Sequence, residues 1–344
     1  MTRDLSLTAE TLSRWLSDAG TLPHGTVTDA HIELEVETPI SKLTFLTVAY
    51  SAEAPSDLPR RLVVKSPLTT PTVNTGNAEV QFYRQLGPTL GTPPLVRCLA
   101  TIDETDTGTL VLEDLRATHD IPPSALPLPR SQCELALDAL ARVHAQWWEA
   151  PTLGDPIGKL HTTESLTAMV HGITAHLPAF IDALGDALTI EALNVYERVF
   201  SSSLKPWLRL TDERALTVIH GDAHTGNFLF PRSGEGAVFL IDWQLWHIDV
   251  AARDLAFLIA LNWYPSRRRE LERPLLRHYH ETLLTHGITG YTFDDLWLDY
   301  RRSAVRNLTI PIIFWSRGMK PEGWWHRLEC VLSSYRDLEC DELL

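Results

Sequence analysis

The run from Val218 to Phe230 carries His220, Gly221, Asp222, His224, Gly226 and Asn227, and the apolar run Val238–Ile241 ends at Asp242 and Trp243. Polar side chains set between apolar, β-like segments are costly to bury unsatisfied, so Asp222, Asn227 and Asp242 need either solvent or ligands. Gly234 and Gly236 mark a turn. The flanking segments are therefore expected to pair as a hairpin, bringing Asn227 and Asp242 to one end, close to Asp222. Two carboxylates and an amide oxygen suit Mg²⁺, a hard cation that takes oxygen ligands and retains waters and phosphate oxygens in its shell. An Asp-x4-Asn spacing followed by an apolar strand ending in Asp is the arrangement that kinase-type phosphoryl transfer requires. One aspartate orients the hydroxyl, while the asparagine and second aspartate hold metal on nucleotide phosphates. The plainer alternative is an Asx-rich loop that satisfies its own backbone amides; the apolar segment ending in Asp242 argues against it.

Such chemistry also needs a lysine on a strand and a helix carboxylate to orient it. Lys65 ends the apolar run Leu62–Val64 and is one of only five lysines, at 42, 65, 159, 205 and 320. Glu79 lies in the helical pattern Asn77–Leu86. Solvated surface residues are the ordinary fate of Lys and Glu, but their order ahead of Asp222, Asn227 and Asp242 makes the pair coherent. The apolar segment Leu110–Leu112 leads into Glu113, Asp114 and Leu115. It suits a hinge whose backbone amide and carbonyl pair with an adenine edge, or else a plain strand end.

The elements that must position these groups divide the chain by texture. Leu12, Trp15, Leu16 and Ala19, with Thr8 as cap and Gly20 as stop, predict a short amphipathic helix. Period-2 patterns predict strands at His31–Val36, Leu43–Tyr50, Arg61–Lys65, Val96–Ile102 and Thr109–Leu115, with turns at 37–42 and 103–108. Four prolines at 122, 123, 127 and 129 read as a connector. Beyond it the chain is mostly helical, with Leu137, Leu140, Ala141, His144 and Trp148 on one face and a β-like island at 216–242. His144 on that face reads as a packed core histidine. The expected division is a sheet-rich nucleotide-binding part over residues 1–115 and a larger, mainly helical catalytic and substrate-binding part over 116–344.

The 344 residues are 44% hydrophobic and 22% charged, with 30 basic against 44 acidic side chains and a formal charge of −14. A field of that sign opposes nucleic acid and anionic membranes as partners and tolerates a cationic small molecule; acidity also simply aids solubility. Cys98, Cys133, Cys330 and Cys340 form no C-x-x-C pair and read as reduced thiols. The opening residues lack an apolar signal region and no apolar run is long enough to span a bilayer, so a cytoplasmic location is expected.

Taken together, His220-Gly221-Asp222-x4-Asn227, Ile241-Asp242-Trp243 and the segment Asp249–Asp254 resemble the aminoglycoside phosphotransferase and choline kinase group, most closely its ecdysteroid-kinase-like relatives. The resemblance covers roughly residues 60–260. It implies an α+β, protein-kinase-like two-lobed fold: a small antiparallel-sheet lobe and a larger helical lobe. It further implies Asp222 as the catalytic aspartate, Asn227 and Asp242 as Mg²⁺ ligands, and Lys65 with Glu79 on the phosphates of ATP. Glu113, Asp114 and Leu115 would contact adenine through their backbone, and Asp254 and His220 would brace the catalytic loop. His224 falls two residues after Asp222, where protein kinases commonly carry a lysine, and could donate to the transferred phosphoryl group. The loop expected to cover the phosphates reads Glu37–Lys42 and has no glycine; Ser41 could contact phosphate through its hydroxyl and amide.

The activity so implied is transfer of the ATP γ-phosphate to a hydroxyl of a small acceptor: an aminoglycoside, sugar, aminoalcohol or polycyclic alcohol. Trp207, Trp263, Trp315, Trp324 and Trp325 could line the acceptor pocket or fill core. A nucleotide-binding pseudokinase is the non-catalytic alternative, although no member of the polar set is lost. A metallophosphoesterase would need an early Asp-x-His and a Gly-Asn-His element, yet Phe228 follows Asn227.

Overall fold

The computed structural model describes residues 7–38, 40–68, 77–103, 108–123, 127–202 and 214–344. Pro39 of the glycine-free loop, residues 104–107 of the turn before Thr109, residues 124–126 of the proline-rich connector, Lys205 and Trp207 lie outside the described residues. The chain forms two compact units, Met1–Ile121 with Phe228–Trp246, and Pro122–Asn227 with His247–Leu344.

The first unit is built on an antiparallel five-stranded sheet of β1 (Val27–Glu37), β2 (Ser41–Tyr50), β3 (Arg61–Pro67), β4 (Cys98–Ile102) and β5 (Thr109–Glu113), in the order β1-β2-β3-β5-β4. Alternation assigns its faces. Leu46, Val48, Leu62, Val64 and Val111 point to one side and close a core with Leu12, Trp15 and Leu16 of helix Ala9–Asp18. Thr8 caps that helix as its sequence predicts, its hydroxyl accepting from the Thr11 amide. Ala19 departs from the predicted stripe: the helix stops at Asp18, so Ala19 is the exposed C-cap. On the open edge, β1 presents acidic side chains and slips register between Ile32 and Leu34, features that discourage pairing with another strand.

Further along, β6 (His119–Asp120), β8 (Phe228–Pro231) and β9 (Phe239–Leu240) form a small antiparallel sheet in the order β6-β8-β9. The β8–β9 pair, in register Phe228↔Leu240, is the hairpin expected around Gly234 and Gly236. It is tied back to the rest of the unit by the Leu240 amide, which donates to the Pro94 carbonyl at 2.8 Å. The predicted strands at 96–102 and 109–115 are shorter than expected, because Val96 and Arg97 precede the ladder and Asp114 and Leu115 leave it.

The second unit is mainly helical, with its longest helices at Arg130–Gln146, Pro265–Thr285, Phe293–Arg306 and Trp325–Asp337. Cys133, Leu137, Leu140, Ala141 and His144 are buried along the first of these. Its two-stranded sheet pairs β7 (Leu216–Ile219) with β10 (His247–Val250). Sequence reasoning foresaw the former strand and not the latter, because His247–Val250 alternates two polar residues with two apolar ones over only four positions. Beyond β10 the chain makes a π-helical turn at Ala256–Ala260, whose Ala256 carbonyl accepts from the Asn307 side-chain amide at 3.0 Å. No described helix is long and apolar enough to cross a membrane.

One buried ion pair ties β10 to helix Phe293–Arg306. Arg306 donates to both oxygens of Asp249, at 3.0 and 2.7 Å. Burial alone would raise the Asp249 pKa, but the Arg306 charge, with hydrogen bonds from His247 and Arg306, holds it well below the usual carboxylate range. The unfolded-state pKa of an aspartate is about 4, so this pair contributes its full stability above that pH. The contribution is lost as pH falls from there through the depressed folded-state value. Asp249→Asn should lower unfolding free energy at pH 7 by about 3–5 kcal/mol, because it leaves the Arg306 charge uncompensated. Urea denaturation at pH 7 and pH 3 should show the difference from wild type shrinking at the lower pH.

Candidate functional site

In the first unit the register of the sheet assembles one functional face. Val36, Leu43, Lys65 and Leu110 lie opposite one another across β1, β2, β3 and β5, as do Leu34, Phe45, Val63 and Leu112. Leu34 and Val36 remain exposed while Leu43, Phe45 and Val63 are half-buried, leaving an apolar surface around one ammonium. The Arg116 guanidinium lies 3.8 Å over the Phe45 ring, held by Asp114 and Glu33. Such a surface fits a flat, apolar ring whose polar edge is satisfied elsewhere.

Lys65 Nζ sits 2.6 Å from Glu79 Oε2 and 2.8 Å from Asp242 Oδ1. Burial would push the ammonium pKa down, but the two carboxylates outweigh it and the net displacement is upward, so the lysine stays charged. Glu79 lies on helix Ala78–Gln85, two residues after its N-cap Asn77, and its Oε1 accepts from the Trp243 amide at 3.2 Å. Trp243 stacks on Phe82 at 3.9 Å with an interplanar angle of 9°, and Trp246 Nε1 donates to the Ala78 carbonyl at 2.8 Å. These contacts hold Asp242 in a left-handed conformation, φ 67° and ψ 60°, which an aspartate adopts only at some cost in backbone energy. Ser41, Lys65, Glu79 and Gln244 line one cleft with Asn77 and Gly108.

In the second unit the loop after β7 is organised by Asp254. Its Oδ2 accepts from the His220 amide at 2.7 Å and its Oδ1 from the Gly221 amide at 2.9 Å. His144 adds Nε2 at 3.2 Å while its Nδ1 contacts the Tyr279 hydroxyl at 2.7 Å. Burial opposes ionisation of Asp254, yet the hydrogen bond from His144 and the neighbouring histidines bring its pKa below the ordinary value. Gly221 takes φ +80°, a turn open to glycine without strain. His220 Nδ1 accepts from the Asp222 amide at 3.3 Å.

That scaffold collects Asp222, His224 and Asn227. Asn227 Nδ2 donates to the Asp222 carbonyl at 2.9 Å. No described residue donates to its Oδ1, so the amide oxygen is left for another partner. His224 Nδ1 accepts from the Gly226 amide at 3.0 Å, which places the proton of the neutral ring on Nε2, 3.7 Å from Asp222 Oδ2. A Cβ at Gly226 would lie 2.9 Å from the His224 ring, so a side chain there would displace that ring.

The expected adenine-contacting segment is more constrained than its sequence suggests. The Glu113 amide donates to the Arg97 carbonyl and the Asp114 amide to the Arg61 carbonyl, both at 3.0 Å. The Leu115 carbonyl accepts from Thr118 and His119, and the Asp114 carboxylate is bound by Arg116. Among the described residues the Leu115 amide is the one N–H of the three without a hydrogen-bond acceptor. The tryptophans divide too: Trp263 and Trp324 are buried, Trp315 and Trp325 half-buried.

Gln244 and Trp246 in the first unit and Arg327 in the second have no sequence signal of their own. Arg327 stands on helix Trp325–Asp337, with Nε on the Asn262 amide oxygen at 2.9 Å and one terminal nitrogen on the Gly323 carbonyl at 2.6 Å. Its burial lowers the guanidinium pKa against the opposing pull of the Asp222 charge.

The profile of the ecdysteroid kinase-like family matches residues 37–288, and the chain belongs to that family. This places it among the kinases that act on small-molecule hydroxyl groups. The structure is similar to the gentamicin complex of APH(2")-IIa, at 12% identity and TM-score 0.54 over 96% of this chain and 99% of that one. It is also similar to an ethanolamine kinase of Plasmodium vivax, at 11% identity and TM-score 0.54 over 91% and 82%. The ADP-bound aminoglycoside phosphotransferase APH(2'')-Ib aligns at 13% identity and TM-score 0.50 over 91% and 94%. At such identities the likeness is one of fold: a kinase-like α+β architecture of antiparallel sheet and helical remainder. No curated protein matches the sequence.

Removing the Asp254 carboxylate tests the scaffold directly. Asp254→Ala strands two buried amides and should cost about 2–5 kcal/mol in urea unfolding. Asp254→Asn, which keeps one acceptor oxygen, should fall between it and wild type.

Proposed function

We propose that the protein transfers the γ-phosphoryl group of ATP to a hydroxyl of a small acceptor, with the first unit binding nucleotide and the second supplying the catalytic loop and acceptor site. The observation that carries this reading is the half-buried Lys65 ammonium clamped between Glu79 and Asp242 in the cleft lined by Ser41. A lysine so placed holds triphosphate oxygens, and its helix carboxylate sets its direction. The apolar face of Val36, Leu43, Phe45 and Val63 takes the adenine ring, and the Leu115 amide serves its polar edge.

Asp242 in the first unit offers a carboxylate and Asn227 in the second an amide oxygen, each the kind of hard donor a divalent cation takes. No described cluster offers the three or more His, Cys, Asp or Glu of an all-protein metal site. Mg²⁺ takes few protein oxygens and keeps water and phosphate oxygens in its shell. When bound with ATP, Mg²⁺ would neutralise charge on the phosphates. The chain's own residues do the positioning. Asp222 orients the acceptor hydroxyl and takes its proton as the oxygen bonds to the γ-phosphorus. The bond from that phosphorus to the bridging oxygen breaks, and ADP leaves. His224, with its proton on Nε2, donates to the transferred group.

Sugars, aminoalcohols, polycyclic alcohols and aminoglycosides can be compared by ATP-dependent phosphate incorporation.

Asp222→Ala should abolish transfer to any acceptor so found while leaving calorimetric affinity for Mg·ATP within about twofold; full turnover by this variant would sink the assignment. Asp242→Ala should weaken Mg·ATP binding at least about tenfold, the loss of one charged ligand. Unchanged magnesium-dependent affinity would contradict the metal role.

A further inference from the structure

The loop expected to cover the phosphates has no glycine, yet its Thr38, Ile40 and Ser41 are held by a set of hydrogen bonds. Thr38 donates its amide to the Ser41 carbonyl at 2.8 Å and its hydroxyl to the same carbonyl at 3.0 Å. The Thr38 hydroxyl in turn accepts from the Ser41 amide at 2.9 Å. The Ile40 carbonyl accepts from the Leu68 amide at 2.9 Å, binding that residue to the chain just past β3. Ser41 itself is buried, and a buried hydroxyl requires a partner. That partner lies far off in sequence: Gln244 Nε2 donates to Ser41 Oγ at 3.3 Å.

Gln244 is well placed to act as an anchor. It sits two residues after Asp242, inside the short 3₁₀ turn Trp243–Leu245. The backbone there is immobilised on both sides, by Trp243 stacked on Phe82 and by the Trp246 indole on the Ala78 carbonyl. Both Ser41 and Gln244 line the cleft of Lys65 and Glu79.

We propose that Gln244 is a positioning residue that latches Ser41 to the Asp242 segment, presenting it to the nucleotide phosphates in a fixed geometry that replaces a pliant glycine-rich loop. This rests on the nucleotide-binding reading given above. A glycine-rich loop closes over phosphates by backbone freedom and must be ordered on binding. A latched Ser41 is ordered beforehand, so loss of the latch should appear as weaker nucleotide binding. The latch also couples Ser41 mechanically to the residue proposed to hold the metal.

The test is Gln244→Met, which keeps side-chain length and removes the donor, beside Ser41→Ala, which removes the acceptor and leaves the 3₁₀ turn intact. Dissociation constants for Mg·ATP by calorimetry, KM for ATP and kcat should be measured for wild type, both single variants and the double variant. A neutral hydrogen bond of about 1–1.4 kcal/mol predicts that each single variant raises Kd and KM about 5–10-fold. For Gln244→Met, kcat within about twofold of wild type marks the loss as one of ground-state binding. The double variant should be no worse than Ser41→Ala alone, because Gln244 acts only through Ser41. Wild-type Kd and KM in both single variants, or additive losses in the double variant, would overturn the latch while leaving the nucleotide reading in place. Wild-type protein that binds no Mg·ATP would instead overturn that reading, and the latch with it.

Discussion

A charged ammonium cannot be taken from water without compensation, and in the first unit that constraint falls on Lys65. Its position on β3 directs it to the face that alternation leaves outside the hydrophobic core. The carboxylate of Glu79 meets it from helix Ala78–Gln85 and that of Asp242 from a segment 177 residues away in sequence. Neither carboxylate would stay in place by itself. Glu79 is fixed because its second oxygen holds the Trp243 amide, and Asp242 because Trp243 and Trp246 seat its neighbours on the same helix. The aromatic stack therefore serves electrostatics: it converts apolar packing into the placement of charge, and it sustains the left-handed backbone at Asp242. That explains why Phe228–Trp246 groups with the N-terminal residues rather than with its immediate sequence neighbours.

The second unit solves a related problem with the signs reversed. A sharp turn at Gly221 leaves two amides pointing inward, and Asp254 supplies one oxygen to each. The buried carboxylate is itself supported by His144, whose other nitrogen is held by Tyr279. The outcome is a loop whose own hydrogen bonds are satisfied before any ligand arrives. Asn227 can then spend its amide nitrogen on the Asp222 carbonyl and keep its oxygen available. Preorganisation of this kind is what phosphoryl transfer by positioning requires, since there is little covalent work for the protein to perform.

Much of this was legible in the residues because local rules sufficed. Thr8 capping a stripe of Leu12, Trp15 and Leu16, period-2 alternation through β2 and β3, and the glycines of the β8–β9 turn all act over a few positions. The polar set of Lys65, Glu79, Asp222, Asn227 and Asp242 stood out because each lies beside apolar sequence that should exclude it. What escaped notice depends on pairings across long stretches of chain. β10 has too short and too mixed a pattern to declare itself, and it becomes a strand only because β7 lies alongside. Gln244 shows nothing in its own neighbourhood that marks it as the partner of Ser41, 203 residues earlier. Likewise, the Leu115 amide can be singled out from those of Glu113 and Asp114 only when the carbonyls of Arg97 and Arg61 are seen to take the other two.

The acidity of the chain acquires a sharper meaning at the Lys65 cluster. One ammonium against two carboxylates leaves a negative charge uncompensated at the very place proposed to receive a triphosphate. Lys42 is engaged by Glu35 on the same sheet, at 2.8 Å, and Arg116 by Asp114 and Glu33, so neither nearby cation is a spare anion site. The net charge of −14 adds to that local excess of negative charge. If phosphate is to enter this cleft, a cation must enter with it, and Asp242 is the carboxylate whose charge it would offset while Glu79 continues to orient the lysine. Nucleotide and divalent cation are then linked ligands: each raises the affinity for the other by the same factor, as reciprocity of coupling free energies demands. The unusual economy in lysine is consistent with that dependence, because a site that borrows its positive charge from a metal needs only one of its own.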